Sequence, residues 1–342
     1  MTGAATTDIA TAMRNGRWRG IGVAFALLLI GATAAPTNRD LLGLLRDNDA
    51  RLAMVGERLA VGNAPLCPAK RAWAGMVVHA LDQYQPSVRA DAVAVFGFPA
   101  AVSVEAVLPG GAAADAGVSR DVGVVAIADQ LVPAELPRAD VPATTARRDA
   151  AERAIADLTP GVPVRLVIRA GGADRAVSIT PVAGCRARFE VHEQNEAAAD
   201  GSIVQVGAAY LERFEPRWLP VIVAHELAHI ILRHRARLEA AGVKFGALAE
   251  FGRSRRLQRQ AEEEADRLSV YLLHNAGYDP RDAATFWRGP GKSISGGLFR
   301  SRIYPSARDR ADSLAAEAAK LPAGGATPVI PDLLALADYP MR

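Results

Sequence analysis

The stretch that most constrains this chain is Val221 to Leu232, an apolar run interrupted only by His225, Glu226 and His229. An α-helix turns about 100° per residue, so residues four apart stand one above the other. His225 and His229 therefore share a helix face, with Glu226 beside them. This is the H-E-x-x-H arrangement, in which two neutral imidazoles suit Zn²⁺ and the adjacent carboxylate can take a proton from a water whose pKa the metal has lowered. Only six histidines occur in 342 residues, so an accidental pair at this spacing is a poor explanation. The helix is expected over about Leu219 to Arg235, with Pro220 in its first turn, where a missing N–H costs nothing.

Two histidines and a water leave a tetrahedral site one protein ligand short. Downstream, Gln260 to Arg267 opens a second helix of apolar periodicity that runs to His274 and stops at Asn275-Ala276-Gly277. Glu262 and Asp266 are four apart and face the same way. Glu262 can complete the metal shell. Asp266 can accept a hydrogen bond from the outer nitrogen of a ligating histidine, with His225 the candidate, and so fix its tautomer. His234 follows His229 by five residues, about 500° around a continuous helix, and reads as non-ligating. His79, His192 and His274 show no partner pattern. Ahead of the metal helix, Asn195 to Val206 reads as a turn feeding a short strand. Ile203, Val204, Gln205 and Val206 are placed there as an edge strand able to pair with an extended substrate backbone.

Arg14, Arg17 and Arg19 precede Gly20 to Ala35, a run of sixteen small or apolar residues with no charge until Arg39. Such a run spans about 24 Å as a helix, short of the roughly 30 Å hydrocarbon core. The length favours a cleaved signal peptide, with Ala32-Thr33-Ala34 as the cleavage site, over an N-terminal membrane anchor; residues 1–36 serve as one or the other. Either way the chain is expected to be exported to the periplasm or cell envelope. The two cysteines, Cys67 and Cys185, are disulfide candidates in an oxidising compartment, with two buried thiols as the alternative. A net charge of +3 and the lack of a Lys/Arg cluster with interleaved aromatics argue against nucleic acid as a partner.

Residues 37–89 are expected to be a helical linker region, on the helical spacing of Asp40 to Val61. From about residue 90 to 184 the pattern becomes β-like, with runs at Asp91–Val95, Val102–Val107, Val122–Ile127, Val164–Arg169 and Arg175–Ile179. Thr144 to Leu158 reads as an amphipathic helix and Ala170 to Ala173 as a hairpin turn. The segment Leu108-Pro109-Gly110-Gly111 with the alanines up to Val118, and Pro160 to Val164 followed by Val167 to Gly171, resemble the corresponding parts of bacterial PDZ domains. That resemblance implies a peptide, typically a C-terminal one, added beside the run ending at Val95. The loop Phe96, Gly97, Phe98 would then offer N–H groups to its carboxylate.

His225-Glu226-Leu227-Ala228-His229, the later Glu262-x-x-Ala265-Asp266, the Asn195-to-Val206 approach and the Ala276-Gly277-Tyr278-Asp279-Pro280 exit together resemble the HtpX/BepA-type metallopeptidases. The likeness spans about residues 187–321. It implies a gluzincin fold, Glu262 rather than Glu263 or Glu264 as third ligand, one Zn²⁺ per chain and endopeptidase activity on protein or peptide substrates. Where that family often carries a His-Pro pair with an arginine six positions beyond the histidine, this chain has Tyr304-Pro305 and Arg310. Tyr304 is the expected oxyanion donor, and Arg310 is expected to hold the loop or that oxyanion. The expected fold class is α+β: a mainly helical metallopeptidase domain with a short edge sheet over residues 185–321, preceded by a small β-rich PDZ-like domain. Residues 322–342 are expected to be a loosely packed extension. A catalytically latent envelope chaperone or peptide-binding factor that keeps the zinc site is the alternative function.

Overall fold

The computed structural model describes residues 36–138, 140–193, 196–243, 252–294, 305–322 and 328–341. The apolar run before Ala35 and Tyr304 lie outside the described residues. No helix among the described residues is long and apolar enough to cross a membrane. The chain is α+β and divides into two compact units. One holds the described residues up to Arg51 together with Ala72–Val182, the other Leu52–Arg71 together with the residues from Ala183 onward.

Helix α1 (Asn38–Gly62) starts where its sequence provides a cap: the Thr37 hydroxyl accepts from Asp40 N–H and the Asp40 carboxylate accepts from Thr37 N–H. Strand β1 (Lys70–Trp73) follows, then β2 (Met76–Ala80), α2 (Arg89–Phe96) and β3 (Val102–Val107). After the short α3 (Ala112–Asp115) come β4 (Gly123–Ile127), β5 (Gln130–Leu131), α4 (Ala146–Ala156), β6 (Val164–Ala170) and β7 (Ala173–Ile179). The first unit is built on an antiparallel sheet of order β2-β3-β4-β6-β7, with β5 paired to β4. Its core joins Val78, Val104, Val124, Leu166 and Ile168 of the sheet to Ala151 and Ile155 of α4.

Three expectations for this unit are corrected. Asp91–Val95 is not a strand but the middle of α2, because Ala92 and Phe96, one turn apart, both bury, and Gly97 at φ 76 closes the helix by donating to the Val93 carbonyl. Phe96 and Phe98 are only 1% and 3% exposed, packed around His79 and Tyr84, and the N–H groups of Gly97 and Phe98 that were expected to meet a peptide carboxylate donate instead to the Val93 and Phe96 carbonyls. The β-rich unit also begins before residue 90: its edge strand is β2, inside the stretch expected to be a helical linker.

In the second unit, β8 (Val182–Cys185) leads to β9 (Arg188–His192), β10 (Ala197–Ala199) and β11 (Ile203–Gly207). β10, β11 and β9 form a three-stranded sheet in that order, β10 antiparallel and β9 parallel to β11. Helices α5 (Ala208–Arg213), α6 (Leu219–Ile231), α7 (His234–Ala240), α8 (Gly252–Asn275), α9 (Arg281–Arg288) and α10 (Ala307–Ala318) complete it. α6 is apolar on almost every side and is buried accordingly, packed on α8. Cys67 and Cys185 form a disulfide. The described C-terminal residues 328–341 are held in place: Asn275 exchanges two hydrogen bonds with Val329, and Met341 is buried with Leu238, Leu257 and Ala261.

Candidate metal centre

α6 and α8 lie side by side, and their facing positions bring the sequence-derived ligands together. The Nε2 atoms of His225 and His229 are 3.2 Å apart, and Glu262 reaches them at 3.2 Å and 3.6 Å. One ligand atom from each of these residues falls within 4.8 Å of the others, which makes a three-residue group that could hold a metal ion. The donor set fits a cation: two imidazole nitrogens and a carboxylate oxygen converge, the mixed nitrogen and oxygen set that Zn²⁺ takes. The Glu262 carboxyl stays well below its ordinary range: burial opposes ionisation, and the two histidines and Arg310 outweigh it.

Behind this cluster stands a buried acid–base pair. Asp266 Oδ1 lies 3.0 Å from His225 Nδ1, although the ring N–H is not well aimed at it. The carboxylate is gripped by Arg310, whose Nε and Nη2 donate to its two oxygens at 2.6 Å and 2.5 Å. The guanidinium lies 3.6 Å over the Trp287 ring. Arg310 is thus placed against Asp266, a contact that the expected role did not include. Its fork geometry suits a buried carboxylate, and the bidentate pair commits those two donors there.

Glu226 is buried beside the cluster. Removal from water, more than any charged neighbour, pushes its carboxyl up to about 7. A cavity of about 590 Å³ opens onto Glu226 and the three candidate ligands. Strand β10 lines it, as do Tyr210, Val221, Ile222, Phe286 and Trp287. The expected substrate strand needs correcting. Ile203, Val204, Gln205 and Val206 form β11, the central strand, with β10 on one side and β9 on the other, so its hydrogen-bonding edges are taken. The edge facing the cavity belongs to β10.

Sequence reasoning also missed a set of residues on the far side of His229. α6 ends at Ile231, Arg233 takes a left-handed conformation (φ 53), and α7 restarts at His234. The wheel angle of a continuous helix therefore does not apply, and His234 swings back until its Nδ1 is 2.9 Å from His229 Nδ1. Its Nε2 is 3.1 Å from Glu264, which also accepts from Arg237 at 2.7 Å and from Gln260 at 2.8 Å. Neither glycine nor asparagine marks the break at Arg233, so no local signal in the sequence announced it.

No family model matches the chain, and no curated protein matches it. Among solved structures, an HtrA-type protease AlgW with decapeptide is similar at 21% identity and a TM-score of 0.24, over 33% of this chain and 30% of that one. The match spans under a third of that protease, and a likeness at that score carries no inference about this chain.

Proposed function

We propose that the chain is a zinc-dependent endopeptidase acting on exported or envelope proteins. The observation that carries this reading is the meeting, in one cavity, of the His225–His229–Glu262 group, the buried Glu226 and the edge strand β10. Zinc held by those three residues would supply Lewis-acid polarisation of the scissile carbonyl and acidify the attacking water. Glu226 takes the proton of that water and returns it to the leaving amine, a role suited to a carboxylate whose burial has brought its pKa near neutrality. Asp266, clamped by Arg310, holds the His225 ring in place. β10 pairs with an extended substrate backbone through main-chain groups, and its alanine side chains demand little of substrate identity.

In the β-rich unit, substrate selection is assigned to β2, the terminal strand of the sheet, which packs beside α4 and follows Gly75 at φ 72. An oxidising, envelope setting is supported by the Cys67–Cys185 disulfide and by the apolar N-terminal run with its preceding arginines.

The test compares wild type with Glu226→Gln on an unfolded protein substrate, with zinc content measured in both. Cleavage by wild type alone, at equal zinc, is expected. Cleavage by neither at full zinc occupancy would refute the enzyme and leave the latent binding factor, whereas equal cleavage by both would remove Glu226 as the base.

A further inference from the structure

The two candidate histidine ligands are backed differently. His225 faces a carboxylate directly, but the outer nitrogen of His229 faces another imidazole, that of His234. His234 is 1% exposed, and the groups behind it, Glu264 and Arg237, are 5% and 6% exposed. Three such polar groups in the interior cost stability unless each is paired, and every contact among them is a hydrogen bond or an ion pair.

The directions of these bonds follow from what each atom can do. Glu264 accepts from Arg237 and Gln260, as an ionised carboxylate must, so His234 Nε2 has to donate to it. With one proton per ring, His234 Nδ1 is then left with a lone pair. The atom 2.9 Å from that lone pair, His229 Nδ1, must carry the proton between them. His229 Nε2 is therefore bare, and it points at Glu262 and His225 Nε2. Arg237 is fixed in turn, since its Nε donates to the Tyr339 carbonyl at 2.9 Å and its Nη1 to the Leu232 carbonyl at 3.3 Å.

We propose that His234, Glu264 and Arg237 form an ordered hydrogen-bond relay that fixes the tautomer and orientation of His229, making them positioning residues of the metal centre. This rests on the reading of His225, His229 and Glu262 as a metal site. The relay has a separate task from the Asp266–Arg310 pair: each ligating ring has its own buried carboxylate–arginine anchor, one reached directly and the other through an imidazole. Outer partners of this kind typically change metal affinity by about 10- to 100-fold when removed.

The deciding experiment uses the full chain with ¹⁵N-labelled histidine, metal-free and zinc-loaded. Expected are protons on His229 Nδ1 and His234 Nε2, and a through-hydrogen-bond ¹⁵N–¹⁵N coupling between the two Nδ1 atoms, a signal that mere packing of the rings does not give. A proton on His234 Nδ1, or on His229 Nε2 in the metal-free chain, overturns the relay. Zinc affinity, measured by chelator competition, should fall about 10- to 100-fold in His234→Phe. His234→Asn, whose amide oxygen can stand in for Nδ1 as acceptor, should recover part of that loss. If His234→Phe fails to fold, the labelled wild-type spectra alone decide. Wild type that binds no zinc sinks the metal reading, whereas wild type and both variants binding zinc alike sinks the relay and leaves the metal reading standing.

Discussion

If β10 is the strand that holds substrate, the alternation of its hydrogen bonds says which residues matter. Its register is Ala197↔Val206, Ala198↔Gln205 and Ala199↔Val204. Gly207 donates to the Glu196 carbonyl and Asp200 to the Ile203 carbonyl, so the hydrogen-bonded pairs of this antiparallel ladder fall at 196/207, 198/205 and 200/203. Ala198 thus spends its N–H and C=O on β11, while Ala197 and Ala199 turn theirs to the open side. Ala199→Pro deletes an outward N–H at an edge position where proline is tolerated. Ala198→Pro deletes an inward one and breaks the ladder.

The two substitutions should therefore separate binding from folding. One net hydrogen bond is worth about 0.5–1.5 kcal/mol. Ala199→Pro should then lower kcat/KM on an extended peptide by about 2- to 12-fold, with any clash of the ring against substrate adding to the loss. Its urea midpoint should stay near that of wild type. Ala198→Pro should instead shift the urea midpoint downward. Peptide-cleavage kinetics and urea unfolding on both variants check this. Unchanged kcat/KM in Ala199→Pro, or an unfolding midpoint as low as that of Ala198→Pro, would refute the assignment of β10.

Two further outcomes concern the frame around the site. The Cys67–Cys185 bond spans 118 positions, so in the chain-entropy account it restricts the unfolded chain by about 5 kcal/mol; reduction, or Cys67→Ser with Cys185→Ser, should lower the urea midpoint of the oxidised protein, and coincident curves would count against the bond. Asp82, 4% exposed, has its carboxyl pushed above the ordinary value by burial, which Arg147 at 3.2 Å offsets only in part. Because the folded pKa lies above the unfolded 3.8, the folded state holds the extra proton between the two values, and this group's contribution to stability falls as pH rises through that window. The stability of wild type minus that of Asp82→Asn should accordingly decrease from about pH 3.5 upward and then level off; a difference independent of pH would show that Asp82 has an ordinary pKa.

What the sequence made legible was whatever depends on regular periodicity. Residues four apart on a helix must share a face, so His225 with His229 and Glu262 with Asp266 are legible as pairs in the sequence. Strands bounded by turn residues, from Val102–Val107 through the β6–β7 hairpin, were readable for the same reason. What failed was whatever depends on partners distant in the chain. Ile203–Val206 has the character of a strand, but being central rather than at an edge is decided by β9 and β10. Asp91–Val95 alternates like a strand, yet an alanine-rich segment closed by Gly97 becomes a helix once Ala92 and Phe96 find a common core. The grip of Arg310 on Asp266 likewise joins residues 44 positions apart and has no local signature.

The run Glu262-Glu263-Glu264 shows the same division within three residues. As sequence they are equivalent acids; periodicity puts Glu262 on one face with Asp266, and the family resemblance is what implies Glu262 rather than its neighbours as third ligand. Glu263, half exposed and paired with Arg259, is the ordinary surface acid of the three. Glu264 points about 200° away from Glu262 around α8, a direction that would reach solvent if α6 continued straight. It is buried because the turn at Arg233 folds α7 back over that side of α8, bringing His234 and Arg237 to it. Its ionisation follows from the same fold: burial alone would raise its pKa, but hydrogen bonds from His234, Arg237 and Gln260 outweigh this and hold it at about 2. One left-handed residue between two helices thus decides whether Glu264 is a surface charge or a buried partner of His234 and Arg237.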